Sequence, residues 1–600
     1  PIADTLFDQL SRRKALIILV NCEHIADDMA GLAEDLLRHC PDIRFLATSR
    51  EALRISGEIV VRLGPMQMSL DDPLESEAVK LFVARAAATD AGFDVQKWRT
   101  ESIEICRRLD GIPLAIELAA ARVANLTPAE ILARLENTFS ILSNRARTSA
   151  GRHETLETAI DWSYDLLDQP LQRVFRSLGV FRGGFTTQAV AAVSFHDPQD
   201  EDLMLDQLSE LSDKSLLSRH LDGPGLRFKL LETVRDYAQL RLEELGEYDE
   251  VRTRHLDYFT TLAKTQRGLL LGPDQLDALD FLEADHENLR AVIRRSMARG
   301  NMDRAADVVA QLTWFWYLHA HFSDGEQWSG QLLEALPDDP ERSWLHLLLG
   351  AALYDFRVGA YDRAEQRLTQ VQRIANAQDL PQYQMWAYAY MATNDVYGMR
   401  LERAIESAGL ATGFAMDLAD SFGLTYATYI GVSAEAGLLR TRSEQEADYA
   451  LVLLDRLRPV NATVLAFGER NMIGHVLQTQ AILTLQLDDI AGAAAAFDTS
   501  IAMFAELGQI GCACHCLEAV ASFLATQGDH QAAADLIGAT DHLRDSVGIR
   551  LGAFEETFRS ETLAMLGASN KDSIVGESRS GPIVSLSEAS HVTRERLARF

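Results

Sequence analysis

The sequence predicts a multidomain, mainly α-helical protein: part of an α/β domain, a small helical domain, a winged helix, and an α-solenoid of tetratricopeptide-like helical pairs. Three observations predict it. Two short apolar runs, Leu16–Val20 and Ile43–Ala47, flank a helical segment near the start. Amphipathic helices then lead into two alternating segments on either side of a Gly-rich loop. From about Tyr248 onward the pattern is helical almost throughout, with Ala-rich and Leu-rich faces and a recurring turn.

The α/β part spans residues 1–66. Ile2 to Leu10 reads as a short helix. Leu16–Val20 and Ile43–Ala47 read as buried parallel strands joined by a helix over Asp27–His39, with their carboxyl ends opening onto a crevice. Ile55–Leu63 suggests a turn and a third short strand, ended by Gly64-Pro65. Residues 67–150 form the helical domain. There Gly111 suits a left-handed helix end, and Pro113 and Pro128 suit first turns. A polar, small-residue linker near Arg145–Gly151 precedes residues 151–245. In that block Leu216–Leu221 and Leu226–Leu230 flank Asp222-Gly223-Pro224-Gly225 as a hairpin, and helices followed by a hairpin fit a winged helix.

Residues 246–568 carry the array. A turn followed by Ala in the sixth place recurs at Gly359–Ala364, Met399–Ala404, Asp488–Ala493 and Gly528–Ala533, with a weaker copy near Ala447. The copies lie roughly 40 residues apart, longer than the tetratricopeptide period of about 34, which suits helical pairs with long arms. Such pairs stack into a continuous core with a concave face for a partner. Residues 569–600 read as a Gly/Ser-rich linker and a last short helix.

A chain of 600 residues exceeds one core. It holds no run long enough to span a bilayer and no signal-like start, so a cytoplasmic location without membrane partners is expected. The start at Pro1 reads as a truncation within a larger protein or a misplaced start. Cys22, Cys40, Cys106, Cys512, Cys514 and Cys516 are scattered, which suits a reducing compartment. The net charge of -31 argues against general nucleic-acid affinity.

Several motifs in order resemble one family. They are Leu16–Arg50, Gly111–Ala115, Thr158–Leu167, Phe181–Phe185, Leu230–Ala238 and Asp285–Ala291. The family is the bacterial signal-transduction ATPases with numerous domains (STAND), related to the NB-ARC class and carrying an AAA-like P-loop ATPase domain. The resemblance implies a switch. A P-loop domain binds ATP or ADP with Mg²⁺, the helical domain and winged helix close over it, and the repeats sense a protein or small-molecule inducer. Exchange then permits homo-oligomerisation, and DNA is reached only through an output domain not visible in this sequence. Carried over by position, Thr48, Ser49 and Arg50 resemble the phosphate-sensing segment, with Arg50 on the γ-phosphate, and Pro113 resembles the proline against the adenine.

The departures are specific. No Lys follows a Gly, so the Gly-x-x-x-x-Gly-Lys loop is absent and belongs upstream of Pro1. Val20 stands where the family has a Mg²⁺-binding Asp; Asn21 and Glu23 are the polar residues nearby. Catalysis by this chain alone is not expected, and no catalytic or metal residue is assigned. Two alternatives stand beside the switch: a non-catalytic interaction scaffold with a degenerate nucleotide site, and the regulatory region of a nucleotide cyclase. Cys512-Ala513-Cys514-His515-Cys516 reads as buried thiols, because a helix spreads these side chains around its axis. Trp314–Tyr317 reads as helix–helix core before ligand platform. On the winged helix, Leu203–Leu211 carries Asp206 and Glu210, so DNA reading by this element is not expected.

Overall fold

The structure, a computed structural model, describes the chain except residues 1–9, 11–12, 21, 50–51, 62–65, 67, 69–75, 110, 143–159, 162, 196–200, 215, 222–224, 442–446 and 568–584. It divides into two compact units, Pro1–Trp162 and Ser163–Phe600. Among the described residues no helix is long and apolar enough to cross a membrane.

In the first unit, β1 (Ala15–Leu19) and β2 (Ile43–Ala47) pair in parallel, with Ala15 opposite Ile43 and Leu19 opposite Ala47. The helix Ala26–His39 covers one face, where Leu36, Cys40 and Ile43 form a small core with Ile17 and Phe45. Successive side chains alternate between faces. Leu16, Ile18 and Leu46 therefore point to the other face and are 57%, 59% and 55% exposed. The expected burial of both faces does not hold at these positions: among the described residues, a helix packs on one side of the strand pair. The third strand is also not formed at its described positions. A turn stands at Ser56-Gly57, but Glu58–Val61 is irregular. The Glu58 carboxylate instead accepts from the backbone N–H groups of Leu53 (3.0 Å) and Arg54 (2.8 Å), which folds the segment into a loop. Of the predicted Ile2–Leu10 helix only Leu10 is described, and the linkers predicted near Arg145–Gly151 and after Ser569 lie outside the described residues.

Helices Glu77–Thr89, Arg99–Arg108, Pro113–Ala120 and Pro128–Leu142 complete this unit. Gly111 has φ +67, and a Cβ there would lie 2.2 Å from the Met66 carbonyl oxygen. Only glycine meets both conditions. Thr127 and Glu130 form a reciprocal capping box: the Thr127 N–H donates to the Glu130 carboxylate (2.8 Å), and the Glu130 N–H to Thr127 Oγ1 (3.3 Å).

The second unit opens with a winged helix. Helices Gln169–Ser177, Thr187–Ser194 and Glu201–Asp213 surround a three-stranded antiparallel sheet ordered β3 (Gly184–Phe185), β5 (Arg227–Lys229), β4 (Ser218–His220). Asp168 and Thr186 cap the first two helices by accepting from the N–H groups of Leu171 and Ala189. Phe175, Phe181, Phe185 and Phe228 fill the core. The hairpin formed where expected, whereas the two-residue strand β3 was too short to show periodicity.

The array follows from Tyr248 through the helix Ala553–Met565. Its four predicted turns share one conformation. Gly359, Met399, Asp488 and Gly528 all have positive φ (77, 58, 57 and 83°). Each helix begins two residues later, and Ala364, Ala404, Ala493 and Ala533 are fully buried. The left-handed residue stops one helix, and the small Ala lets the next approach its neighbour. Gly300 (φ 74) with buried Ala305 is a further copy. Two adjacent pairs also repeat a buried carboxylate. Asp355 meets Arg363 (2.5 Å) and Arg367 (2.9 Å), and Asp395 meets Arg400 (2.6 Å) and Arg403 (3.5 Å).

The array closes on itself. Gln275 Nε2 donates to Glu469 (2.5 Å), and the Arg470 N–H donates to Gln275 Oε1 (3.0 Å). Gln509 Nε2 donates to the Tyr317 carbonyl (2.7 Å). Residues some 190 positions apart thus meet.

One packing contact in the winged helix gives a direct test. A Cβ at Gly179 would lie 2.5 Å from the Gln239 backbone nitrogen, so no side-chain rotation relieves it. Gly179→Ala is expected to cost about 1–3 kcal/mol, measured by denaturant unfolding. An unchanged midpoint would refute this packing.

Candidate functional site

The residues predicted to hold a nucleotide are only partly brought together. Thr48 follows β2. Its N–H donates to the Leu19 carbonyl (2.8 Å), and its own carbonyl accepts from the Cys22 N–H (3.0 Å), so the carboxyl ends of β1 and β2 are tied together. The side chains of Thr48 and Ser49 are exposed. Val20 is 67% exposed and offers no oxygen to a cation. Pro113 is the first residue of its helix and is exposed. Arg50 and Asn21 lie outside the described residues, as does the side chain of Glu23.

The winged helix presents an acidic face. On helix Glu201–Asp213, Met204, Leu208 and Leu211 point inward, which leaves Glu201, Asp202, Asp206, Glu210 and Asp213 exposed together with Leu203 and Leu205. Two nearby cations are held by this helix, Lys214 by Glu210 (2.7 Å) and Arg219 by Asp213 (2.8 Å). A phosphate backbone would meet a wall of carboxylates.

Arg227 of β5 is turned inward instead. Its guanidinium is buried against Asp285 (2.5 Å) and also donates to the carbonyls of Gly184 and Ala284. Asn288 Nδ2 donates to the Gly184 carbonyl (2.9 Å), and its oxygen accepts from the Arg182 N–H (2.7 Å). Asp285–Asn288 therefore welds the wing to the start of the array. Burial raises the Asp285 pKa, and Arg227 opposes that rise.

Beside this weld, Glu283, His286 and His321 place one ligand atom each within 4.8 Å of one another. No spacing in the sequence signals this grouping, since His321 is distant along the chain from Glu283 and His286. It is not arranged for a metal. Trp316 Nε1–H donates to His286 Nε2 (2.9 Å), which occupies the imidazole lone pair. His319 Nδ1 and His321 Nε2 share Glu283 Oε2 (3.1 and 2.8 Å), and these bonds hold the Glu283 pKa far below the ordinary carboxylate range.

The interior of the closed array holds an aromatic-lined cavity of about 70 Å³. Its walls are aromatic: Trp314, Tyr317, Tyr397, Phe422, Tyr426 and Tyr429, with Phe554 and Phe558. The Trp314–Tyr317 cluster divides accordingly. Phe315 and Trp316 are buried core, whereas Trp314 and Tyr317 face the cavity. Most polar wall groups are satisfied, as in Tyr426 Oη with Thr393 Oγ1 (2.9 Å) and Ser433 Oγ with Thr479 Oγ1 (2.7 Å). Asn471 differs: it is buried, lines the cavity, and its Oδ1 has no hydrogen-bond partner among the described residues, while His515 Nδ1 and Arg440 Nη2, likewise without hydrogen bonds, face the carboxylates of Glu555 and Glu561. Burial holds His475 neutral, with His515 and Arg357 adding to the effect. Arg357 lies behind the wall, with Nη1 on Tyr397 Oη (3.1 Å). Its Nη2 lies against Gly511, where a Cβ would come within 1.9 Å.

The three array cysteines are buried as expected, and their partners diverge. Cys512 lies near Tyr317 Oη, Cys514 near the Thr540 carbonyl and Cys516 near Ser500 Oγ. No single cation can gather them.

Residues 167–243 match the winged helix-turn-helix domain family. The chain is 40% identical over 332 residues to a Mycobacterium tuberculosis protein whose name, provisional in itself, is HTH-type transcriptional regulator; the match covers 55% of this chain and 37% of that protein. A second M. tuberculosis protein, uncharacterised, is 37% identical over 254 residues, covering 42% of this chain and 63% of its own length. Regulatory protein AfsR of Streptomyces griseus is 27% identical over 333 residues, covering 50% and 31%. The chain thus spans well under half the length of the named regulators it matches. Among solved structures, a STAND protein with a tetratricopeptide repeat sensor from Pyrococcus horikoshii gives a TM-score of 0.47 at 12% identity, covering 100% of this chain and 80% of that one, a likeness below the level that identifies a shared fold.

The exposed carboxylates of helix Glu201–Asp213 disfavour contact of that face with a phosphate backbone. The purified chain is expected to show no salt-dependent retardation of a mixed-sequence duplex at low ionic strength. Binding whose affinity falls by orders of magnitude between 50 and 200 mM salt, as for a protein making several phosphate contacts, would overturn this.

Proposed function

We propose that this chain is the sensing and relay portion of a transcriptional regulator, with the array receiving a signal and the winged helix passing it on. The observation that carries the reading is the aromatic-lined cavity in an array welded to the wing through Arg227 and Asp285. The names of the similar mycobacterial and Streptomyces regulators support the regulatory part. The output that contacts DNA is proposed to lie elsewhere in the intact protein, since the winged helix here faces solvent with carboxylates.

Nucleotide control belongs to the same proposal. ATP or ADP would lie at the joined ends of β1 and β2, near Thr48 and Ser49, with Arg50 and Pro113 in the roles the resemblance gives them. Such binding would govern self-assembly. Val20 argues against Mg²⁺-dependent hydrolysis at that site. It also favours the second reading, an interaction scaffold that uses no nucleotide. Saturable, magnesium-dependent ATP binding by the purified chain would remove that second reading.

The relay requires wing and array to respond as one body. Arg227→Met strands the Asp285 carboxylate in a buried site, which costs about 3–5 kcal/mol. The variant is expected to split the calorimetric unfolding of the Ser163–Phe600 unit into separate steps. Adding Asp285→Asn should restore much of the loss, because the uncompensated charge is gone. If Arg227→Met unfolds in the same single step at the same temperature as the parent chain, the relay is wrong.

A further inference from the structure

We propose that the cavity of the array binds a small, uncharged aromatic molecule carrying one hydrogen-bond donor, and that admitting it loosens the contact that closes the array. This rests on the sensing reading above and names the class of ligand sensed.

Aromatic side chains line much of the wall, and they favour offset or edge contacts with another ring. Charge is excluded by what surrounds the cavity. Glu469 is already used by three donors, the N–H groups of Asn471 and Met472 and Gln275 Nε2. Arg440 is paired with Glu561 (2.7 Å) and lies over the Phe558 ring (3.5 Å). Arg357 is turned to Tyr397 and Gly511. A charged guest would lose its water and gain no counter-ion. Among the described wall residues, the buried Asn471 Oδ1 has neither a hydrogen bond nor an ion pair, whereas His515 Nδ1 and Arg440 Nη2, which also lack hydrogen bonds, are set against Glu555 (3.5 Å) and Glu561 (2.7 Å). A guest hydroxyl or ring N–H supplies the donor that Asn471 lacks.

Size gives the coupling. The cavity of about 70 Å³ is smaller than the roughly 150 Å³ apolar cavity that admits benzene. A ring therefore enters only if the walls give way. Asn471 and Met472 line the cavity at the start of helix Arg470–Leu485, directly after Glu469, which holds Gln275 across the closure. Outward movement of this turn strains that hydrogen bond.

The test uses the whole chain and four probes: phenol, indole, toluene and benzoate, titrated by calorimetry. Phenol and indole are expected to bind saturably. Toluene, which lacks the donor, should bind about tenfold more weakly, and benzoate should show no saturable binding. Asn471→Leu should abolish the preference for phenol over toluene while leaving toluene binding intact. Hydrogen exchange of the Glu469–Met472 amides should rise with phenol bound. Ile430→Trp fills the cavity and should abolish binding of every probe. Asn471→Leu, checked for native circular dichroism, keeps the test decisive if Ile430→Trp does not fold. The proposal is overturned if the parent chain binds neither phenol nor indole, if benzoate matches phenol, or if Asn471→Leu keeps the phenol preference. Slower exchange at Glu469–Met472 with phenol bound would overturn the loosening. Failure of the probes with the Arg227–Asp285 coupling intact would discard this ligand class and leave the relay, sensing a protein instead.

Discussion

The carboxylate of Glu469 does two jobs that the rest of the array depends on. It caps the helix Arg470–Leu485 through two backbone N–H groups, and it receives Gln275 from the beginning of the array. A helix N-terminus wants an acceptor, and a buried carboxylate wants donors, so one group satisfies both ends of the closure. Its pKa is raised by burial, with these hydrogen bonds holding it back. Without this contact and its companion at Gln509 and Tyr317, the aromatic side chains inside would face a groove open to water.

A second theme is the use of buried charge as a register device. Asp355, Asp395 and Asp285 are each buried; the first two are met by arginines at the start of the following helix, and Asp285 by Arg227 of the preceding wing. Such pairs add little net stability when compared with apolar packing, but removing one partner is costly. They therefore discriminate one alignment of helices from another. Glu518, buried with Arg544 and Arg559, repeats the device near the end of the array.

Much of this was legible in the sequence. The positions of β1, β2, the hairpin and the repeated turns followed from periodicity and from glycine placement, because these are local properties. The sixth-place alanines at 364, 404, 493 and 533 were legible for the same reason, although Gly300–Ala305 escaped notice. The coverage of β1 and β2 was not legible, since it depends on how many elements pack on a face. Nor was the loop at Glu58, where a side chain bonding backward to Leu53 and Arg54 overrode a run of β-branched residues. The candidate site was the least legible part. Trp314, Tyr397, Tyr426 and Asn471 meet only because the array closes, and no spacing in the chain encodes that closure. The charge of the helix at Glu201–Asp213, by contrast, could be read directly.

The closure also changes what kind of polymer the array is. An open solenoid is close to a one-dimensional chain, in which each repeat depends on its neighbours and repeats can be gained or lost one at a time. Here Gln275 must find Glu469, and Tyr317 must find Gln509, across most of the array's length. Its order of folding is therefore set by a late, distant meeting of ends, as in proteins of high contact order. Inserting or deleting one helical pair between those ends would shift every partner out of register. In the lineage of this chain, variation should accumulate as substitutions on the walls of the ring, and change in repeat number should be confined to positions beyond Gln509.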